Sequence, residues 1–508
     1  MKFFFVLILL LAVKNSSAQQ GASTPYMPSW QARHYLALLV DHAGLALTLT
    51  HWPLPGRSVE QALLSLPEPL PDSELDLQGA RLAVLREIRH RQRSPNAGAQ
   101  LRSRAEGLTG YDENYTPGSS LRAASEEFRW SDGSISFAGR LGAKLEQKSN
   151  SLSTLPPGVG EGKLYQLRPE GSSAILSWNG WNLQSFSQHQ WWGPGWQSSL
   201  INGSNNLAWD GVGIQRSNVS ISESPWLAWF GPWNLDFFAA RAHDPRVVAG
   251  QPKGFLYSGM RLTIRPRPWL EVGLSRSFQF GGQGRPAGAK DFSNALFGQK
   301  VNRDPGDPPD SSNQVAGYDA RVRCPIKLGR CAIYTQWMGE DAAGSIPLPY
   351  KFMSLWGLEN TVGNGRVRIF VEYTDTSAPS LPWETGSRFP GFTNGVYTQG
   401  YTNGARWVGS AQGGGSQLLT LGWMNIEHQY IMKLFVGNVF YSLGAFSPGL
   451  EAPHGRLRGL SVRKTISWSG VDLMPEISWT QLSEGDNAGV NKRNNMRVGL
   501  NAIVPITP

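Results

Sequence analysis

Long apolar runs are missing from this chain of 508 residues: beyond its N-terminal stretch, nothing approaches the ~20 consecutive apolar residues that a membrane-spanning helix needs. Charge is scarce too, with Asp, Glu, Lys and Arg at 17% of residues against about 25% in soluble domains. The formal charge of +9 is spread along the chain, which argues against nucleic acid as partner of an exported protein and leaves anionic surfaces or polysaccharides. The eight His show no metal-ligand spacing and no Gly-x-Ser-x-Gly elbow occurs, so neither a metal nor any other cofactor is expected. A phosphate-loop lookalike at 158–163 has Pro157 where the first Gly belongs and Leu164 where Ser or Thr belongs, and it reads as a flexible turn.

What is present points to export and to β structure. Lys2, the apolar run 3–13 and Ser16-Ser17-Ala18 form a secretory signal over 1–18, with cleavage expected after Ala18. The chain holds 58 Gly and 20 Trp, a composition displaced toward many turns and interface aromatics. Residues 19–130 read as a helical region and linker. Ser29 caps a first helix, Ser58 with Gln61 makes a capping box for a second, and Ser73 opens a third with Leu75, Leu82, Leu85 and Ile88 on one face. The basic tract that follows, from Arg86 to Arg104, is read as a solvated face or as a contact for anionic lipid or polymer.

From 131 to 508 the pattern has period two. Asn364-Gly365 is a strong hairpin turn that pairs Val362 with Val367, Asn360 with Ile369, Leu358 with Val371 and Trp356 with Tyr373. The opposite face then carries Glu359, Thr361, Arg368 and Glu372. A second hairpin at Ser469-Gly470 pairs Trp468 with Val471, Ile466 with Leu473, Val462 with Ile477 and Leu460 with Trp479, with Arg463 across from Glu476. One apolar face and one face of opposed charges suit a closed lumen better than a soluble sandwich. Similar segments at 134–146, 174–189, 235–242, 255–265, 269–280, 418–427, 430–439 and 496–504 predict an outer-membrane antiparallel β-barrel of about sixteen to eighteen strands. The stretches 281–313 and 374–416 are its expected long outward loops. Cys324 and Cys331 flank a short connection, and pairing them sets Val322 opposite Ile333, Ala320 opposite Thr335 and Tyr318 opposite Trp337, so a hairpin disulfide is expected.

The segment His189-Gln190-Trp191-Trp192-Gly193-Pro194-Gly195-Trp196 sets three indoles about a turn that neither helix nor strand can traverse. An indole offers a flat apolar face and one N–H donor, so sugar stacking, a membrane interface and core packing all remain open. With Gln190 to Leu200, the piece Thr50-His51-Trp52-Pro53-Leu54 and the run from Tyr397 to Gly409, the chain resembles the capsule assembly Wzi family. The resemblance implies a mainly β fold, a transmembrane antiparallel β-barrel of about 18 strands with a small N-terminal α-helical periplasmic part. It also implies a lectin of the Gram-negative outer membrane that holds capsular or surface polysaccharide, embedded in outer-membrane lipid; a monomer is expected. Candidate ligand-binding residues are Trp191, Trp192, Trp196, Tyr397, Tyr401, Arg406, Arg368 and Arg463, the aromatics as sugar platforms and the Arg side chains as partners for carboxylates. Two other readings stay open: a channel or export conduit, which requires a conducting lumen, and an outer-membrane hydrolase, which requires carboxylates such as Glu359 and Glu372 in a catalytic pair.

Overall fold

The computed structural model describes residues 21–70, 74–90, 94–103, 108–113, 118–149, 161–243, 254–297, 312–325, 328–343, 346–378, 391–397, 400–404, 406–440, 455–486 and 489–506. The signal with its cleavage site, the Ser73 cap and most of the phosphate-loop lookalike lie outside these residues. One antiparallel sheet of 22 segments dominates the fold. No helix among the described residues is long and apolar enough to cross a membrane.

The three sequence-read hairpins have the expected registers. Val362 pairs with Val367 and Trp356 with Tyr373; Trp468 pairs with Val471 and Leu460 with Trp479; Tyr318 pairs with Trp337 beside a Cys324–Cys331 disulfide. Each turn supplies what its geometry demands, since Asn364, Gly365, Ser469 and Gly470 all have positive φ. The sheet has its polarity inverted relative to a soluble protein. Leu358 and Val371 are 47% and 40% exposed on the outer face, while Glu359, Arg368 and Glu372 on the inner face are 3%, 2% and 1% exposed. Outer-face aromatics gather beside the short turns, among them Trp130, Trp178, Trp269 and Trp468.

Differences from expectation have local causes. The run read as 174–189 is two strands, Ser173–Trp178 and Trp181–Gln188, because Asn179-Gly180 makes a tight turn with both residues at positive φ. The sheet begins before 131: Asn96–Arg102 pairs with the last strand, and Ser120–Ala124 and Phe128–Ser131 follow it. Their alternation is short and interrupted by Gly and Ser, which hid it among the helical residues. Consequently Arg102 does not lie on a solvated face; its Nε donates to Glu476 Oε1 at 2.6 Å on the inner side of the wall. Within the expected long loop 281–313 lies a helix, Ala289–Phe297, whose Phe292 packs on Phe278 and Phe280.

The N-terminal helices are α1, Trp30–His42, α2, Gly56–Leu64, and α3, Leu77–Ile88. Ser29 caps α1 as expected, its Oγ accepting from Ala32 N at 3.1 Å. The capping box at Ser58 does not form: α2 starts at Gly56, and the Ser58 hydroxyl accepts instead from Val219 N at 3.0 Å. Asp76 caps α3 by accepting from Gly79 N at 2.7 Å. These helices pack inside the sheet's curve, at the end where the short turns lie. His34 Nε2 donates to Gly365 O at 2.7 Å, in the Asn364-Gly365 turn itself. Arg265 donates to Val40 O and Leu45 O from the wall, so the carbonyl end of α1 meets a cation.

Candidate functional site

Two inward-folded segments and the helices fill the sheet's interior. Trp191–Trp192 forms a two-residue ladder with His51–Trp52, joining the Trp-rich turn to the connection between α1 and α2. Glu271 on the wall holds that connection by accepting from Leu49 N and Thr50 N at 2.8–2.9 Å. Arg261, fully buried, forks onto Asp319 at 2.6 and 2.9 Å and reaches Thr50 Oγ1 at 2.8 Å. A bidentate pair of this kind fixes direction as well as charge.

The turn after Trp192 is held by both sides of the lumen. Gly193 has φ +141, and a Cβ on Gly195 would sit 2.1 Å from Ser198 O, so neither position tolerates a side chain. Arg33 of α1 donates to Pro194 O and Gly195 O at 2.8 Å each, and its guanidinium stacks on Trp196 at 4.2 Å and on Tyr111 at 4.3 Å. From the wall, Glu372 accepts from Trp196 N at 2.8 Å, Ser198 N at 2.7 Å and the Tyr334 hydroxyl at 3.2 Å. Glu359 accepts from the Trp196 indole at 2.5 Å and from Arg368 and Arg321 at 2.5 and 2.7 Å. Arg321 then grips Asp41 of α1 at 3.0 and 2.6 Å. The opposed charges read from the sequence are therefore braces between wall, turn and helix.

The sequence-read site residues divide accordingly. Trp192 is fully buried against Phe238 and His51, Trp196 is locked as described, and Arg368 lies between Glu359 and His34. Tyr397 and Tyr401 are also buried, their hydroxyls donating to Gly281 O and to Ser277 O. Arg406 lies in a small inward hairpin, where Thr402–Asn403 pairs with Arg406–Trp407. Only Trp191 and Arg463 of the eight line a cavity of about 300 Å³. Arg463 does not pair with Glu476 across the strand; it donates to Asp112 O at 2.8 Å, and Glu476 turns to Arg102 and Arg497.

That cavity lies between the N-terminal segments at Pro25, Tyr26 and Tyr111 to Glu113 and the wall strands that include Arg102, Arg122 and Glu476. Lys144 bridges Glu146 at 3.0 Å and Glu170 at 3.1 Å. Burial alone would push Glu113 up, but the Lys433 ammonium at 2.7 Å and the Arg463 guanidinium outweigh it and bring the carboxyl to about 2. Sequence reasoning missed Arg102, Arg122, Lys144 and Glu113 as cavity residues, because their strands or loops were assigned to the linker or left unpaired.

The profile of the capsule assembly protein Wzi family matches residues 89–426. A 55.8 kDa protein of the Klebsiella pneumoniae cps region is 35% identical over 207 residues, 40% of this chain and 39% of that protein. The match thus spans about two fifths of the length of that relative. A solved structure described as Wzi, an outer membrane protein involved in group 1 capsule assembly in Escherichia coli and a carbohydrate binding β-barrel, superposes with a TM-score of 0.74 at 22% identity, covering 96% of this chain and all of that one. The fold is therefore that of a mainly β, barrel-type protein, and the chain belongs to the capsule assembly protein Wzi family.

Proposed function

We propose that this protein is a polysaccharide-binding barrel of the outer membrane that holds capsular or surface polysaccharide at the cell surface during capsule assembly. The observation that carries the membrane reading is the inverted sheet, apolar outside and charged inside, which water would not support and lipid requires. Trp226 and Trp229, 86% and 59% exposed beside a short turn-end helix, fit a lipid interface. Four interrupted strands reduce the 22 segments to eighteen strands, and the pairings of Gly499 with Arg102 and of Trp178 with both Ile135 and Trp181 support a closed ring running from Asn96 to Pro505. The helices then form a periplasmic plug, since they cap the short-turn end, and the protein works as a monomer.

Binding is favoured over conduction or hydrolysis by the same packing. Trp52, Trp191, Trp192, Trp196 and Trp407 belong to one buried cluster that includes all three helices, so the interior is filled. Glu359 and Glu372 are committed to Arg, indole and backbone N–H groups, a bracing role rather than a catalytic pair. Trp192, Trp196, Tyr397, Tyr401 and Arg368 act as braces, and Arg406 is buried in the inward hairpin; Trp191 and Arg463 remain for a ligand. Deleting the gene in a capsule-bearing host is expected to release polymer into the medium while synthesis continues. Cell-bound capsule unchanged in amount would overturn the proposal.

A further inference from the structure

The lumenal cavity beside the plug has a chemistry that the bracing network does not use. It is lined by five cations, Arg102, Arg122, Arg140, Lys144 and Arg463, and by four carboxylates, Asp112, Glu113, Glu170 and Glu476. Cations thus outnumber carboxylates by one in the lining, and a partly open concave site of this charge favours a compensating anion. Buried nitrogens of three lining residues have no hydrogen-bond partner among the described residues, Gln188 Nε2, Trp191 Nε1 and Arg463 Nε, and His189 Nδ1 is in the same state. His189 Nε2 and Arg463 Nη2 make only long ion pairs, to Glu170 at 3.8 Å and to Asp112 at 3.9 Å. Buried N–H donors such as those of Gln188, Trp191 and Arg463 are costly unless something supplies acceptors. Tyr26, Tyr111 and Trp191 add aromatic surface to the same walls.

We infer that this cavity is a subsite for a single acidic sugar residue, of the hexuronate kind. A volume of about 300 Å³ is at the lower edge of small-molecule pockets, enough for one sugar ring and too small for a folded stretch of polymer. One carboxylate neutralises the excess charge, and ring hydroxyls supply acceptors for the N–H groups of Gln188, Trp191 and Arg463. Aromatic carbon faces the apolar face of the ring. The inference rests on the polysaccharide-binding reading and names where a charged unit of that polymer is recognised.

Calorimetric titration of the full mature chain in detergent with methyl β-glucuronide tests it, with methyl β-glucoside and inorganic phosphate as comparison ligands. Saturable binding of the glucuronide, at least tenfold tighter than either comparison ligand, is expected. Arg463→Gln and Trp191→Phe should each weaken it at least fivefold; the second keeps the packed ring and removes only the N–H, and heat-modifiable gel migration confirms that each variant is folded. Absence of saturable binding, equal binding of phosphate, or undiminished binding by folded Arg463→Gln would overturn the inference. If these occur while gene deletion still releases capsule, the subsite alone is refuted; if deletion leaves capsule in place, the wider reading falls with it.

Discussion

Arg321→Met tests whether the buried charge network holds α1 against the sheet. In the native chain the Arg321 guanidinium makes two hydrogen bonds to Asp41, at 3.0 and 2.6 Å, and two to Glu359, at 3.0 and 2.7 Å. Glu359 would keep Arg368 and the Trp196 indole, whereas Asp41 has no other ion pair among the described residues and would be left as a buried anion at the end of α1. Removing one partner of a buried pair costs about 3–5 kcal/mol. If the loss falls on α1 docking rather than on the sheet, the open population rises by about two to three and a half decades, at about 1.4 kcal/mol per decade. Amide hydrogen exchange of α1, residues 30–42, should accelerate by that factor, while the ladder around Trp356 and Tyr373 keeps its protection. Adding Asp41→Asn should restore much of the protection, because the stranded charge is then gone. A folded Arg321→Met protein whose α1 amides exchange within fivefold of wild type would refute the bracing argument.

Acid should loosen the same helix through His34. Burial, reinforced by the neighbouring Arg368 guanidinium, holds His34 down at about 3; Nε2 donates to Gly365 O and Nδ1 accepts from Arg368, leaving no site for a second proton. The folded value lies below the unfolded one near 6.5, so this contribution is complete above about pH 6.5 and is lost as pH falls toward 3, at about 1.4 kcal/mol per pH unit. Exchange of α1 amides compared at pH 7 and pH 4.5 should show this acid loss, and a folded His34→Gln protein should show less of it. Gly259→Ala should destabilise by about 1–3 kcal/mol, since its Cβ would lie 2.7 Å from the Trp192 and Phe238 rings; a melting point equal to wild type would mean the Trp192 pocket is loose. Replacing Cys324 and Cys331 by Ser should lower stability by up to about 3 kcal/mol while leaving the register of Tyr318 on Trp337 intact, which solvent protection of that hairpin can check.

The outer wall was legible because a strand's period of two leaves each hairpin one consistent register once its turn is identified. Asn364-Gly365 and Ser469-Gly470 fixed every pair around them, and the cysteine spacing fixed a third hairpin. Asn179-Gly180 carried the same signal and went unread inside a longer apolar alternation. Strands at 96–102 and 120–131 were obscured for a different reason: their alternation is too short to stand out, and their partners lie hundreds of residues away or across an interruption. Ser58 shows the limit of capping rules, since a tertiary donor, Val219 N, took the hydroxyl that the local box would have used.

Alternation, turn residues and the cysteine pair, all local properties, thus determined from sequence alone that this is an exported β protein with one apolar and one charged face. Which charge meets which was a matter for the tertiary structure. Arg463 and Glu476 sit opposite in register, yet the first turns to Asp112 in the segment 108–113 and the second to Arg102 and Arg497 on the wall. Long side chains on the inner face of the sheet choose partners by three-dimensional proximity and desolvation, and the segments that supply those partners come from distant parts of the chain. The same holds for the three indoles: sequence made them conspicuous, and only the folded lumen assigned Trp192 and Trp196 to the packed interior and Trp191 to the wall of a cavity.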